Sequence, residues 1–242
     1  MRLKFQGMSS KQKNKKQSQG SDILENPEAL ATQISKSEEF ISKHKSLVTI
    51  VGIVIILVVV GIVGYRFYQN NQNQVAQSEM YQAIYYYEQD SLTLALRGDG
   101  NNLGFADIAS EYGNTKAGNL ANFYAGSIYL KQGKYDLALL FLEDFSADDL
   151  LYQARASSLI GDLYMEQSNF ENAIKYYREA IDYKPSKYFT PIYLMKAALA
   201  YEKLNDPENA IKAYKEIITK YWESEEYQTA RKHLARLGGT ES

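Results

Sequence analysis

The 242-residue chain contains no cysteine and only two histidines. The absence of cysteine excludes disulfides, zinc sites built on thiolates and an acylated cysteine as a lipid anchor. His44 and His233 are far apart in the sequence, and neither has a metal-ligand pattern or a nucleophile beside it. Phosphate-binding loops, zinc-binding spacings and nucleophile elbows are also missing. We therefore predict a protein that is not an enzyme and that uses no metal, cofactor or small-molecule substrate.

Proline is also scarce, with four residues in the chain. Thr190-Pro191 and Asp206-Pro207 each place a capping side chain before a proline, which is typical of the first turn of a helix. Asp148-Asp149 is predicted to cap a helix in the same way, rather than to act as an acid–base pair. Apolar residues recur at helical spacing, and no segment alternates as a strand would. These patterns predict an all-α fold.

Charge is absent from one long stretch. Residues 47–65 are nineteen residues without a charged side chain, and fourteen of them are Leu, Ile or Val. As a helix this stretch is roughly 28 Å long, close to the hydrocarbon thickness of a bilayer. A cleaved secretory signal has a shorter apolar run and a shorter leader than the 46 residues found here. We predict one uncleaved transmembrane helix.

The charges are distributed unequally on the two sides of this helix. Residues 1–46 carry nine Lys or Arg and five acidic residues, whereas the chain from Arg66 onward carries 18 Lys or Arg and 24 Asp or Glu. Basic flanks stay in the cytoplasm, so we predict a cytoplasmic N-terminus and a C-terminal domain on the opposite side of the membrane. An acidic domain of this kind does not favour a nucleic-acid partner.

A repeat follows the membrane segment. Small residues recur at Gly126, Gly161 and Ala198, with a tyrosine three residues and an alanine twelve residues after each, at periods of 35 and 37. Small residues at these positions allow two helices to approach closely, and the tyrosines fill the adjoining space. The pattern predicts stacked helical hairpins.

The predicted organisation has six segments. They are a disordered basic cytoplasmic tail (1–26), a cytoplasmic amphipathic lead-in helix (27–46), the transmembrane helix (47–65), juxtamembrane helices with a degenerate leading repeat (66–115), three repeats (116–223), and a capping helix with a short tail (224–242). Within the fourth segment, one long helix is predicted over 72–97 and a short one over 103–112.

The repeats resemble the tetratricopeptide repeat, and the middle copy carries almost every consensus position. Those positions are Gly161, Tyr164, Phe170, Ala173, Tyr177, Ala180 and Pro185. The resemblance implies a helical solenoid whose first helices line an inner groove that binds other proteins. Carried onto this sequence, the predicted groove residues are Leu120, Phe123, Ser127, Leu130, Lys131, Arg155, Ser158, Asp162, Met165, Glu166, Ile192, Met195, Leu199, Glu202 and Lys203.

The composition of the predicted groove indicates its partner. Adaptable Met and Leu side chains with a few charges are typical of a groove for an extended or helical peptide. Members of the family that clamp a C-terminal carboxylate use Lys and Asn at positions held here by Phe123, Ser127 and Ile192. We therefore do not expect carboxylate clamping.

The whole arrangement resembles the YfgM-type ancillary subunits of the bacterial Sec translocon. That resemblance implies an adaptor at the periplasmic face of the inner membrane. Its partners would be a SecYEG-type translocon, a membrane-anchored periplasmic chaperone or prolyl isomerase, and emerging polypeptide. Two alternatives stay open: a scaffold for another envelope-biogenesis complex, such as cell-wall, division or outer-membrane assembly machinery, and a membrane-anchored stress-response regulator.

Overall fold

The computed structural model describes residue 35 and residues 40–240. The predicted tail 1–26 and most of the predicted lead-in helix 27–46 lie outside the described residues. The chain divides into two compact units, Met1–Arg66 and Phe67–Ser242.

The first unit contains the start of helix α1 (Lys45–Glu88), which ends in the second unit. Apolar side chains along its first half are exposed, with Ile56 at 63% and Leu57 at 65%. Within the described part of the chain, α1 is the one helix long and apolar enough to cross a membrane, as judged from length and composition.

The helix predicted over 72–97 is interrupted in the structure. Helix α1 ends at Glu88, Asp90 takes a positive φ of 54°, and a short helix α2 (Leu92–Arg97) follows. The turn lets Leu96 of α2 join the buried cluster that contains Met80 of α1. The free energy gained by burying Leu96 outweighs continuation of the helix. Hydrophobic periodicity does not report contacts between residues distant in the sequence.

Eight further helices follow in the described residues of the second unit. They are α3 (Phe105–Tyr112), α4 (Lys116–Lys131), α5 (Tyr135–Asp144), α6 (Tyr152–Glu166), α7 (Phe170–Asp182), α8 (Thr190–Lys203), α9 (Pro207–Lys220) and α10 (Glu226–Arg236). No strand occurs in residues 40–240, so the predicted all-α fold is confirmed. Consecutive helices pack on each other, and short connections between packed helices produce a stack of hairpins.

Small residues set the closest approaches, as the repeat pattern predicts. A Cβ at Gly126 would lie 2.7 Å from Cγ of Leu142, and one at Gly161 would lie 2.5 Å from Cε1 of Tyr177. Ala198 is fully buried. These contacts pair α4 with α5 and α6 with α7, and they bury the apolar faces that hold each hairpin together.

Side chains cap several helices. The Asp206 carboxylate accepts from the Asn209 amide, which confirms the predicted cap of α9. Asp149 accepts from the amides of Leu151 and Tyr152, but the N-cap residue of α6 is Leu151, so Asp149 closes the turn that precedes the helix instead of capping it as predicted. Thr190 is different: it is the first residue of α8, and its Oγ1 accepts from the Ser186 amide. Thr190 therefore closes the preceding loop, and its predicted role as a cap is wrong.

Candidate partner-binding groove

The predicted groove residues lie on α4, α6 and α8, the first helices of the three hairpins. Three of them are buried: Phe123 is 4% exposed, Ser127 is 7% and Ser158 is 2%. A partner can reach these three only if the helices repack. The remaining predicted residues have accessible surface: Leu120, Leu130, Asp162, Met165, Met195 and Glu202 are partly exposed, and Lys131, Arg155, Glu166, Ile192, Leu199 and Lys203 are exposed.

Aromatic rings lie below the α4 part of the groove. The Phe123 ring packs 5.4 Å from the Phe145 ring and 5.1 Å from the Tyr152 ring, as measured between centroids. Tyr124 stacks on Phe105 at 4.8 Å, and burial together with a hydrogen bond to Tyr152 raises the pKa of the Tyr124 hydroxyl. Phe123 therefore contributes to the rigidity of this region rather than to its surface.

Two cations lie over aromatic rings at the α4 end of the groove. The Arg155 guanidinium is 6.0 Å from the Phe123 ring centroid, and the Lys131 ammonium is 5.2 Å from that of Tyr87. Tyr87 belongs to α1, far from the repeats in sequence, and the repeat pattern contains no signal for it. The α4 end of the groove thus combines positive charge with aromatic surface.

A polar network joins α6, α7 and α8. The Lys196 ammonium donates to both Asp162 oxygens, at 2.9 and 2.6 Å, and to the Ser158 hydroxyl at 3.2 Å. The Tyr177 hydroxyl donates to the same carboxylate at 2.8 Å. Burial, followed by the charge of Asp162, raises the pKa of Tyr177. Asp162 and Ser158 therefore hold three helices together. Lys196, the central residue, was missed because it is one position away from the family's groove positions.

A second network surrounds Glu202 and joins α8, α9 and α10. The Tyr214 hydroxyl donates to Glu202 Oε1 at 2.6 Å, and His233 Nδ1 lies 3.1 Å from the same oxygen. Arg236 forms an ion pair with the other oxygen. Burial acts to raise the pKa of Glu202, but the bonds from Tyr214 and His233 and the charge of Arg236 together lower it. Glu202 is thus a structural residue that holds the capping helix.

The apolar residues that remain accessible are concentrated on α8. Ile192, Met195 and Leu199 are spaced three and four residues apart, so they share one face of the helix. Met165 is partly exposed on α6. Methionine is flexible and polarisable, and such a surface adapts to different side chains.

The fold and this surface can be compared with known proteins. Residues 158–225 match the family model of the tetratricopeptide repeat. The matched region runs from the middle of α6, through α7, α8 and α9, to the end of the α9–α10 connection.

Residues 158–225 of the helical stack are thus similar to tetratricopeptide repeats. A search of curated proteins gives no match to the chain. Tetratricopeptide repeats typically form non-catalytic scaffolds that bind other proteins, so the match over residues 158–225 indicates a protein–protein interaction adaptor. Within residues 40–240, no three His, Asp or Glu side chains are grouped so that they could hold a metal ion.

Proposed function

We propose that the chain is a single-pass adaptor of the bacterial inner membrane. In this proposal α1 crosses the bilayer, the basic N-terminal segment is cytoplasmic and the tetratricopeptide repeats are periplasmic. The charge distribution supports this orientation, since nine Lys or Arg precede the apolar run and the chain beyond it is acidic.

The exposed surface of α1 supports insertion into a bilayer. Val58, Val60 and Ile62 are each at least half exposed. Apolar surface in water costs about 25 cal/mol per Å² relative to an apolar environment. Lipid removes this cost along the whole apolar run, and the helix satisfies its own backbone hydrogen bonds there.

The inner groove is the proposed partner-binding surface. The observation that carries this proposal is the accessible face of Ile192, Met195 and Leu199 on α8, together with Met165 on α6. Neighbouring side chains leave part of each of these residues accessible, whereas Ser158, Asp162 and Glu202 are engaged within the stack. A partner would therefore bury an apolar strip flanked by fixed charges.

The proposed complex is the Sec translocon with a membrane-anchored periplasmic chaperone or prolyl isomerase. Support comes from the combination of one N-terminal apolar span, no cysteine for a lipid anchor and a tetratricopeptide stack. In this role the groove would hold the chaperone, and possible clients would be polypeptides that leave the channel.

Site-specific photocrosslinking in intact cells tests the proposal. A photoreactive residue at Met165 or Met195 should crosslink to translocon subunits or to a membrane-anchored chaperone. The same probe at Leu140, which is exposed on α5, is the matched control and should not. Repeated recovery of cell-wall, division or outer-membrane assembly proteins alone would favour the scaffold function and contradict the translocon role.

Charge substitutions separate binding from folding. Met165→Glu and Met195→Glu should leave the thermal unfolding of the full chain nearly unchanged, because both side chains are partly exposed. They should weaken partner capture in a detergent pull-down, since a carboxylate would be desolvated in an apolar contact. Undiminished capture by both variants would exclude the groove as the binding surface.

A further inference from the structure

A cleft at the ends of α8, α9 and α10 forms a second surface of the repeat unit. It lies between the connection 183–189, which joins α7 to α8, and the connection 221–225, which joins α9 to α10. Its volume is about 530 Å³, within the range of sites that hold a small ligand or a few side chains. We call it the tryptophan cleft, and its principal lining residues are Tyr188, Ile192, Trp222, Glu223, Glu225 and Glu226.

Two large aromatic side chains of this cleft are in solvent. Trp222 is the sole tryptophan of the chain and is 62% exposed, and Tyr188 is 70% exposed. The fold buries other aromatic residues of the same repeats, such as Tyr177 and Tyr214, almost completely. Exposed Trp and Tyr side chains are the residue types that most often dominate binding energy at interfaces. Their exposure here is therefore unfavourable unless a partner covers them.

Negative charge is in excess around these rings. Glu223, Glu225 and Glu226 line the cleft, and none of them forms an ion pair with a cation of residues 40–240. Of the two lysines in the lining, Lys220 bonds to Glu216 at 2.8 Å. The cleft thus has three carboxylates without a salt-bridge partner beside aromatic surface.

The other lysine indicates which chemistry this surface favours. The Lys187 ammonium lies 5.1 Å from the Tyr188 ring centroid, a cation–π contact within the cleft itself. The indole of Trp222 is the better π surface, and no cation of the described residues lies over it. The chain therefore supplies a cation to the Tyr188 ring, but no cation of the described residues contacts the Trp222 indole.

We propose that the tryptophan cleft binds an extended, arginine-bearing segment of a partner protein. An arginine guanidinium is planar and weakly hydrated, so it stacks on an indole and at the same time forms a bidentate pair with a carboxylate. The acidic excess of the chain from Arg66 onward, 24 acidic against 18 basic residues, attracts a basic partner during encounter. The cleft shares Ile192 with the groove, but its aromatic and acidic residues are separate from the groove methionines.

The sole tryptophan provides the measurement. The full chain in detergent micelles is titrated with acetyl-Gly-Arg-Gly-Arg-Gly-amide, and the emission of Trp222 is followed with selective excitation. A saturable change in emission is expected. The change should be weaker with the peptide that has Lys in place of both Arg residues, and absent with the peptide that has Glu in their place. Added salt should lower the affinity, because the contact includes exposed ion pairs.

Substitutions identify the groups responsible. The triple variant Glu223→Gln/Glu225→Gln/Glu226→Gln retains the fluorescent reporter and should bind the Arg peptide about tenfold more weakly. The control variant Glu88→Gln/Glu111→Gln/Glu171→Gln removes the same charge from exposed sites elsewhere and should bind as the parent chain does. Tyr188→Ser, which lies outside any helix, should also weaken binding with no loss of helical circular dichroism.

Three results would overturn the proposal. The first is equal binding of the Arg and Glu peptides, and the second is an equal loss of affinity in the two triple variants. The third is an emission change that follows the concentration of the chain alone, because a second copy would then occupy the cleft. None of these results bears on crosslinking from Met165 or Met195, so the two proposals fail independently.

Discussion

Gly161 determines how closely α6 approaches α7. Its missing side chain leaves space that the Tyr177 ring fills, and the Tyr177 hydroxyl then reaches Asp162 on the same helix as the glycine. One small residue therefore supports both an apolar contact and a polar one. This coupling explains why the position tolerates so little volume.

Gly161→Leu should lower the free energy of unfolding by about 1 to 3 kcal/mol, because the added side chain must displace Tyr177 from the closest helix contact. Denaturant unfolding of the full chain in detergent measures the change. Glu179→Leu, at an exposed position on α7, is the control and should change the stability by less than about 0.5 kcal/mol. Unfolding unchanged by Gly161→Leu would mean that the repeat register is wrong.

Lys196 and Asp162 should be energetically coupled. Their side chains are 32% and 30% exposed and lie 2.6 Å apart. Lys196 also donates to Ser158, and Asp162 also accepts from Tyr177. A double-mutant cycle with Lys196→Met and Asp162→Asn should give a coupling of about 0.5 to 1 kcal/mol. The exposed pair Lys212–Glu208 is the control and should give less. Additive effects at Lys196 and Asp162 would show that the ion pair does not stabilise the contact between α6 and α8.

The capping helix α10 depends on one carboxylate from α8. Glu202 receives bonds from Tyr214 and His233 and pairs with Arg236, while Leu234 is buried against the preceding hairpin. A solenoid needs a terminal helix that covers the apolar end of its last repeat. In α10 this cover is attached by both an apolar and an ionic contact.

The Glu202 contact should make α10 sensitive to acid. The folded pKa of Glu202 lies below its ordinary value of 4.5, so the contact contributes its full stability above that pH. The contribution is lost as the pH falls through the folded pKa, since the unfolded chain then binds the proton more readily. Glu202→Gln should therefore reduce the fall in unfolding free energy below pH ~4.5, whereas Glu208→Gln should not. An unchanged pH profile in Glu202→Gln would contradict this assignment.

The chain as a whole should have its two ends on opposite sides of the membrane. Protease added to spheroplasts should remove a C-terminal tag and degrade the repeats, while a tag at the N-terminus should stay protected until the membrane is lysed. A cytoplasmic marker protein controls for intactness. Protection of the C-terminal tag in intact spheroplasts would refute the proposed topology, and an N-terminus that begins after residue 64 would refute the transmembrane anchor.

Local sequence patterns predicted the hairpins, but they did not predict every helix boundary or every residue that takes part in a contact or a site. The spacing of Gly126, Gly161 and Ala198 predicted the helix contacts because van der Waals contact at a small residue is a short-range constraint. The prediction of one helix over 72–97 was wrong, because burial of Leu96 depends on residues distant in sequence. Trp222 and Lys196 gave no repeat signal, since neither lies at the recurring small-residue, tyrosine or alanine positions of the repeat.

The sequence by itself determined the all-α class, the apolar stretch at 47–65 and the repeat period. These features follow from hydrophobicity and periodicity, which are properties of the chain alone. Only the tertiary structure decided which groove positions remain accessible. Packing buried Phe123 and Ser158, engaged Asp162 and Glu202 in networks, and left Met165 and Met195 partly exposed. A side chain's exposure depends on neighbours that other helices supply, and no local pattern specifies them.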